Sequence, residues 1–450
     1  MGKLFGTDGV RGLANADLSP ELALALGRAV VGVLRAEEHG ASGRPAVVVG
    51  RDPRASGALL ESALVAGILS AGGDVLAAGV VPTPAVAFLT RHYGAAAGAV
   101  ISASHNAMAD NGIKFFGPEG FKLPDAVEAR IEAAVGAADH GAPRPVGGGV
   151  GGLRPTANDA VEAYLAHLLD GIPDLGGLAV VVDCANGAAA EIAPEAYRRA
   201  GAKVTAVAAD PDGHNINDGV GSTHPEHVQA ALVAAGAAVG LAHDGDADRL
   251  LAVDERGQLV DGDVILAVTA LDAREHGGLP TGTVVTTVMT NLGFRQAMAE
   301  HGIQVEQTAV GDRYVLEAML AGGHTVGGEQ SGHLIFLDRA TTGDGLLTGL
   351  RLLAVVARSG RPLSELAMVM RRLPQVLLNV RVANRHALDG ASAVWRAVSD
   401  EEARLGDRGR VLVRPSGTEA LVRVMVEAET EPEANAVADR LAAVVATELG

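Results

Sequence analysis

Three carboxylates stand at alternate positions in HDGDADR, residues 243–249: Asp244, Asp246 and Asp248. Like charges this close repel and raise one another's pKa unless a cation is held among them. Oxygen ligands suit a hard divalent ion such as Mg²⁺ or Ca²⁺, and three carboxylates leave it positions open for water or a phosphate oxygen. A solvated acidic turn would carry the same pattern. An EF-hand is excluded: Arg249 stands where its loop needs a sharp-turn glycine, and the flanking runs read as strands. Arg249 instead puts a cation where an anion would meet the metal.

A metal needs a reacting group beside it. ISASHNAMADNGIKFFGPEGFK (101–122) offers Ser102, Ser104 and His105 directly after an apolar strand, where a nucleophile would be exposed. Spacing does not choose between the two serines, and the same residues would also cap a turn. Lys114, among glycines and apolar residues, is fit to hold a phosphate or carry a proton. No G-x-S-x-G elbow is present, which argues against an α/β-hydrolase.

GGEQSGHLIF (327–336) sets Glu329, Ser331 and His333 at alternating positions, donors and acceptors that suit the vicinal hydroxyls of a sugar. RPSGTEALVRV (414–424) gathers Arg414, Ser416, Gly417, Thr418 and Arg423 into a compact anion cradle of guanidinium, hydroxyl and backbone N–H groups. FGTDGVRG (5–12), with Thr7 and Arg11, offers a further anion contact. A plain turn is the alternative for each of these last two loops.

The elements that must position these loops repeat an architecture. Residues 44–79, 178–209 and 282–311 each read as strand, turn, helix, glycine stop and strand. Short Val-rich runs alternating with helices predict largely parallel sheets covered on both faces. After each repeat a further apolar strand runs into a polar loop: SASHN, HDGDADR or EQSGH. Open α/β sheets bind ligands beyond the carboxyl ends of their strands, so the three loops are expected to converge. The tail differs, with alternating runs at 376–384, 409–419 and 421–428 and a helix over 433–449, and predicts a small antiparallel α+β domain. The Gly/Pro-rich segment 140–155 reads as a linker. The expected domains are 1–154, 155–254, 255–371 and 372–450.

Composition bounds the function. The 450 residues are 48% hydrophobic and 20% charged, a globular balance too long for one core. A formal charge of −18 argues against nucleic acid as a partner, and 3% aromatics against stacking on single strands. No apolar run reaches membrane-spanning length and the start lacks a signal-peptide core, so a cytoplasmic protein with no membrane partner is expected. The single Cys184 excludes an internal disulfide and reads as a small buried residue.

Taken in order, FGTDGVRG, SASHN, DGDADR, GEQSGH and RPSGTE resemble the α-D-phosphohexomutase superfamily over nearly the whole chain. Gln330 in the sugar loop and GSTHPE (221–226) are similar to its amino-sugar branch rather than to its phosphomannomutase/phosphoglucomutase branch, which remains the alternative. The resemblance implies four domains around a central cleft and conversion of glucosamine 6-phosphate to glucosamine 1-phosphate through a 1,6-bisphosphate, feeding UDP-N-acetylglucosamine and cell-wall precursors. It implies that Ser104 is the phosphoserine and that one Mg²⁺ lies among Asp244, Asp246, Asp248 and the Ser104 phosphate. Glu329, Ser331 and His333 would contact the sugar; Arg414, Ser416, Gly417, Thr418 and Arg423 would bind the non-reacting phosphate. Thr7, Arg11, His105, Lys114 and Arg249 would line the reacting centre. A sugar 1,6-bisphosphate would be the activator, and a homodimer is left open. Two positions depart from the family pattern: Ala107 and Ala420 stand where proline is common, which puts the rigidity of both loops in question. A non-catalytic sugar-phosphate or Ca²⁺-binding protein would have no need of Ser104 and Lys114 beside the Arg414 cradle.

Overall fold

In the computed structural model, which describes residues 4–6, 8–37, 43–416 and 419–450, each predicted repeat forms its strand, helix and strand. The first is Ala46–Arg51, Gly57–Ser70 and Asp74–Val80. The second is Ala179–Asp183, Ile192–Arg199 and Lys203–Val207. The third is Thr283–Thr287, Leu292–Glu300 and Gln304–Thr308.

The strands that follow the repeats complete mixed sheets. The six-stranded sheet runs Val10–Leu13, Asp110–Phe116, Ala97–Ile101, Ala46–Arg51, Asp74–Val80, Leu153–Pro155. Its centre is parallel and its Val10–Leu13 side antiparallel. The five-stranded sheet runs Leu259–Val260, Leu250–Asp254, Val239–His243, Ala179–Asp183, Lys203–Val207, and the four-stranded sheet Gln304–Thr308, Thr283–Thr287, Val326–Gly328, Leu334–Phe336. Strands Ala97–Ile101, Val239–His243 and Thr283–Thr287 are buried at every position. Burial on both faces is why none of them alternates apolar with charged residues as a half-exposed strand would.

In each of these sheets the strand after the repeat turns back on an antiparallel neighbour, and the turn is the chemical loop. Ile101 pairs with Ile113 around 102–112, His243 with Leu250 around the three aspartates, and Gly328 with Leu334 around EQSGH. Hairpin tips at sheet ends leave side chains free to face a ligand while the ladders below fix their bases.

Helix Pro20–Glu37 packs closely against Gly57–Ser70. A Cβ on Gly27 would lie 2.3 Å from the Leu64 carbonyl oxygen, and one on Gly67 2.2 Å from that of Leu24, so alanine at either position would force the helices apart. The segment read as a linker is not loose. Its end, Leu153–Pro155, is the sixth strand of the first sheet, and the Gly151 N–H donates to Leu69 O at 3.0 Å.

The chain divides into two compact units, Met1–Val288 with Glu306–Met368, and Met289–Val305 with Val369–Gly450. The second contains the predicted antiparallel sheet, Gln375–Arg381, Leu421–Glu427, Arg410–Pro415, with helices Ser392–Leu405 and Glu431–Leu449. It also takes residues 289–305 from the third repeat, because the start of helix Leu292–Glu300 is tied to it. Asn291 exchanges two 3.0 Å hydrogen bonds with the Leu373 backbone, and the Leu292 N–H donates to Glu427 at 2.7 Å. Among the described residues no helix is long and apolar enough to cross a membrane.

Candidate active site

Ser104 occupies the left-handed region, at φ 52°, a conformation that costs a non-glycine residue about 1–2 kcal/mol. It is buried, and its Oγ donates to Asp244 Oδ2 at 2.7 Å while His105 Nδ1 lies 3.3 Å away. Ser102, the other serine that spacing allowed, faces inward. Its Oγ donates to the buried Asp52 at 2.6 Å and accepts the Ser104 N–H at 3.0 Å. Geometry therefore separates the pair: one serine meets the aspartates and the other supports it.

Asp244, Asp246 and Asp248 are all buried, with ligand oxygens within 4.8 Å of one another. Among the described residues they form the one such group of acidic, His or Cys side chains. Thr83 orients Asp246 through its hydroxyl at 2.6 Å and through its N–H, which donates to the Asp246 carbonyl at 3.0 Å. The Arg249 N–H donates to Asp244 Oδ1 at 3.3 Å, and its Nε lies 3.7 Å from Asp248 Oδ1. Asp246 Oδ1 and Asp248 Oδ1 are buried without a hydrogen-bond partner among the described residues. Orphaned carboxylate oxygens are costly to bury, and this all-oxygen donor set fits a divalent ion. Burial, then Asp248 and Asp246, push the Asp244 carboxyl well above the usual carboxylate range. Burial opposes the charge on Asp248 too, yet His333, Arg249 and Lys114 outweigh it and hold its pKa low.

Cations ring this cluster. Burial disfavours the charge on Lys114, but Asp248, Asp8, Asp312 and Asp246 more than offset it and raise its pKa. Its Nζ lies 4.0 Å from Asp8 Oδ1, and Arg11 Nη2 lies 3.6 Å from Asp8 Oδ2. Burial and the nearby Arg249 and Arg11 lower the pKa of His105, which keeps its ring neutral.

The sugar loop divides. Ser331 is exposed, and Glu329 is half-buried, with Oε1 accepting from the Gly311 N–H at 3.1 Å. Gln330 Nε2 reaches Asp261 at 3.4 Å. His333, the third residue expected at the sugar, lies deeper in the loop. It is 3% exposed, its Nε2 accepts the Gly343 N–H at 3.0 Å, and its Nδ1 lies 3.4 Å from Asp248 Oδ2.

In the second unit, Arg414 and Arg423 are directly opposite across the Arg410–Pro415 and Leu421–Glu427 strands. Burial and then Arg423 lower the pKa of Arg414. Arg423 Nε is buried without a hydrogen-bond partner among the described residues, and the guanidinium meets Glu419 only at 4.0 Å. Ser416 is buried, with Oγ accepting the Glu419 N–H at 3.3 Å. Two like charges and an unmet donor make an anion-binding corner. Thr7, Gly417 and Thr418 lie outside the described residues.

Both departures from the family pattern are tied at their carbonyls. The Ala107 carbonyl accepts from the Asp110 N–H at 3.1 Å and from Arg54, and that of Ala420 from the Val382 N–H at 3.1 Å. Sequence reasoning missed Asp8, Asp52, Arg54, Thr83 and Asn217. Only Asp8 carried a local signal, three residues before Arg11 in an anion-contact loop.

Four models of phosphoglucomutase/phosphomannomutase domains match: α/β/α domain I at residues 2–141, domain II at 162–257, domain III at 261–373 and the C-terminal domain at 377–444. The chain is 58% identical over 434 residues to a phosphoglucosamine mutase of Moorella thermoacetica, covering 96% of this chain and 97% of that one. It is 58% identical over 447 residues to the phosphoglucosamine mutase of Saccharopolyspora erythraea, 99% of each. Among solved structures it resembles a phosphoglucomutase/phosphomannomutase family protein of Burkholderia thailandensis (TM-score 0.83, 25% identity, 99% of this chain and 97% of that one). The fold also matches Aspergillus fumigatus N-acetylphosphoglucosamine mutase in complex with GlcNAc-6P and magnesium (TM-score 0.67, 19% identity, 99% and 96% covered).

Proposed function

The chain belongs to the phosphoglucomutase/phosphomannomutase family, and we propose that within it Ser104 is the residue that carries the phosphoryl group. Its activity is the phosphoglucosamine mutase reaction of its relatives, an intramolecular phosphoryl transfer between glucosamine 6-phosphate and glucosamine 1-phosphate. The observation that carries the residue assignment is the 2.7 Å contact of the Ser104 hydroxyl with one of three clustered aspartates.

In the forward direction the bond from phosphorus to Ser104 Oγ breaks as a bond to the sugar O1 forms, giving a 1,6-bisphosphate. After the intermediate turns over, its O6–phosphorus bond breaks and Oγ takes that phosphoryl group, leaving glucosamine 1-phosphate. The proton lost by the attacking hydroxyl ends on the leaving oxygen, and neutral His105, 3.3 Å from Oγ, is within reach to pass it. Phosphoryl transfer asks a protein mainly for in-line positioning and charge neutralisation. Lys114, Arg11 and Arg249 supply fixed positive charge around the reacting oxygens. Asp244, Asp246 and Asp248 would hold one Mg²⁺ with an oxygen of the Ser104 phosphate. Bound there, the ion supplies Lewis-acid stabilisation of the transferring group. Glu329, Ser331 and His333 contact the sugar. Arg414, Ser416 and Arg423, with Gly417 and Thr418, take whichever phosphate is not reacting, and Thr7 adds an anion contact. Sugar 1,6-bisphosphate is the activator that loads an empty serine.

Peptide mass spectrometry of the isolated protein should place phosphate on Ser104, and Ser104→Ala should lose at least about 10⁴-fold in kcat. Phosphate located on another residue, or full turnover by Ser104→Ala, removes the assignment. Rates on glucosamine, glucose and mannose phosphates, with bisphosphate and Mg²⁺ present, measure how strictly the amine is required.

A further inference from the structure

We infer that Arg54 and Asn217 are positioning residues that together hold Ser104 in its left-handed conformation and aim its hydroxyl at Asp244. The inference rests on the assignment of Ser104 as the phosphoryl carrier. Arg54 has a fully buried side chain whose fork is spent on the serine loop. Nη2 donates to Ser104 O and to Asn106 O, each at 2.9 Å. Nη1 donates to Asp110 O at 3.1 Å and to Ala107 O, while Nε donates to Asp52 at 2.9 Å. Four loop carbonyls are thus turned inward onto one guanidinium, with Asp52 balancing its charge. A planar fork is what such an arrangement needs, and a lysine ammonium has neither the reach nor the fixed directions.

Asn217 approaches from the other side. Its Nδ2 donates to Ser104 O at 2.9 Å and to Asn106 O at 3.0 Å. Asn217 is itself left-handed, at φ 58°, with its N–H bonded to Ala185 O at 2.9 Å just past strand Ala179–Asp183. That strand pairs with the one that leads into the aspartates. The Ser104 carbonyl therefore accepts two donors, one from each sheet, which fixes the peptide plane after Ser104. The plane before it is fixed by the N–H donated to Ser102. With both planes pinned, the Cβ direction follows, and the surrounding hydrogen bonds, one donor being charged, offset the strain at Ser104. The approach is close: a Cβ on Gly245, between Asp244 and Asp246, would lie 2.6 Å from Ser104 O and 2.8 Å from Asn217 Nδ2.

The test compares Asn217→Ala, Asn217→Asp and Arg54→Lys with wild type and Ser104→Ala, measuring kcat, KM for glucosamine 6-phosphate at saturating bisphosphate and Mg²⁺, and Tm. Asn217→Ala should lower kcat about 10- to 100-fold with KM within about two-fold of wild type, the signature of a misplaced reacting group rather than a lost substrate contact. Asn217→Asp, which sets a carboxylate against two carbonyl oxygens, should fall further, and Arg54→Lys should lose about 100-fold or more. Wild-type kcat in Asn217→Ala overturns the inference whether or not Arg54→Lys folds. So does a rise in KM at unchanged kcat. Turnover by Ser104→Ala would instead overturn the assignment beneath it, so the two failures are distinguishable.

Discussion

The molecule holds like charges together in two places and treats them in opposite ways. The three aspartates of residues 244–248 sit in a loop wired from several sides, by Thr83, the Arg249 N–H, His333 and Ser104. Arg414 and Arg423 lie opposite each other on two strands, half-exposed, with Arg423 Nε unmet among the described residues and Arg414 Nη2 3.9 Å from Met289 Sδ. The first cluster holds its side chains in fixed places, which is what the phosphoryl transfer proposed for Ser104 would require. The second leaves donors open, which is what the proposed binding of either phosphate of the sugar would require.

The largest effect expected from breaking this contrast is in the acidic cluster. Asp246→Asn should lower kcat about 10²- to 10³-fold with Mg²⁺ present, as removal of a stabilising group in a preorganised site does. It should also raise Tm in chelator, because one of three repelling carboxylates is gone; paired kinetics and melting curves check both. An unchanged kcat would mean that the cluster is not part of the chemistry. In the basic cluster, Arg423→Ala should act mainly on KM, raising it about 10- to 100-fold, the equivalent of a charged hydrogen bond of about 1.5–3 kcal/mol. Should kcat fall instead with KM unmoved, that corner would be wired to the chemistry and the contrast would be wrong.

The smallest effect concerns pH. His167, stacked on Phe88 at 4.3 Å, and the buried His243 both have pKa values lowered to about 4 by burial. Unfolded histidine takes up its proton near pH 6.5, so the stability from keeping these rings neutral is present above that pH and is lost as pH falls toward about 4. The raised pKa of Asp244 works the other way, since the folded state then takes up a proton before the unfolded one. His167→Gln should therefore lose less Tm than wild type between pH 7 and pH 5, by about 1–2 °C. An identical loss in melting experiments would mean that the ring is already solvated.

Much of this was legible in the chain. Periodicity located the three strand–helix–strand repeats and the antiparallel tail, because strands buried on both faces and strands buried on one face carry different apolar patterns. It did not locate helix Ser392–Leu405, nor the transfer of residues 289–305 to the second unit, which depends on Asn291 and Leu292 reaching residues 82 and 135 positions away.

By itself, the amino-acid order marked which loops are equipped for chemistry and of what kind, because a ligand set such as D-x-D-x-D or a pair of arginines around a glycine turn is local. Which serine meets the aspartates belonged to the tertiary structure, and so did the approach of Arg54 and Asn217, 50 and 113 residues from the serine whose carbonyl they bond. So did the placing of His333 Nδ1 at 3.4 Å from Asp248. The reason is physical: a side chain's role depends on which of its donors and acceptors are already satisfied, and only the packed fold brings the competing partners within hydrogen-bonding distance.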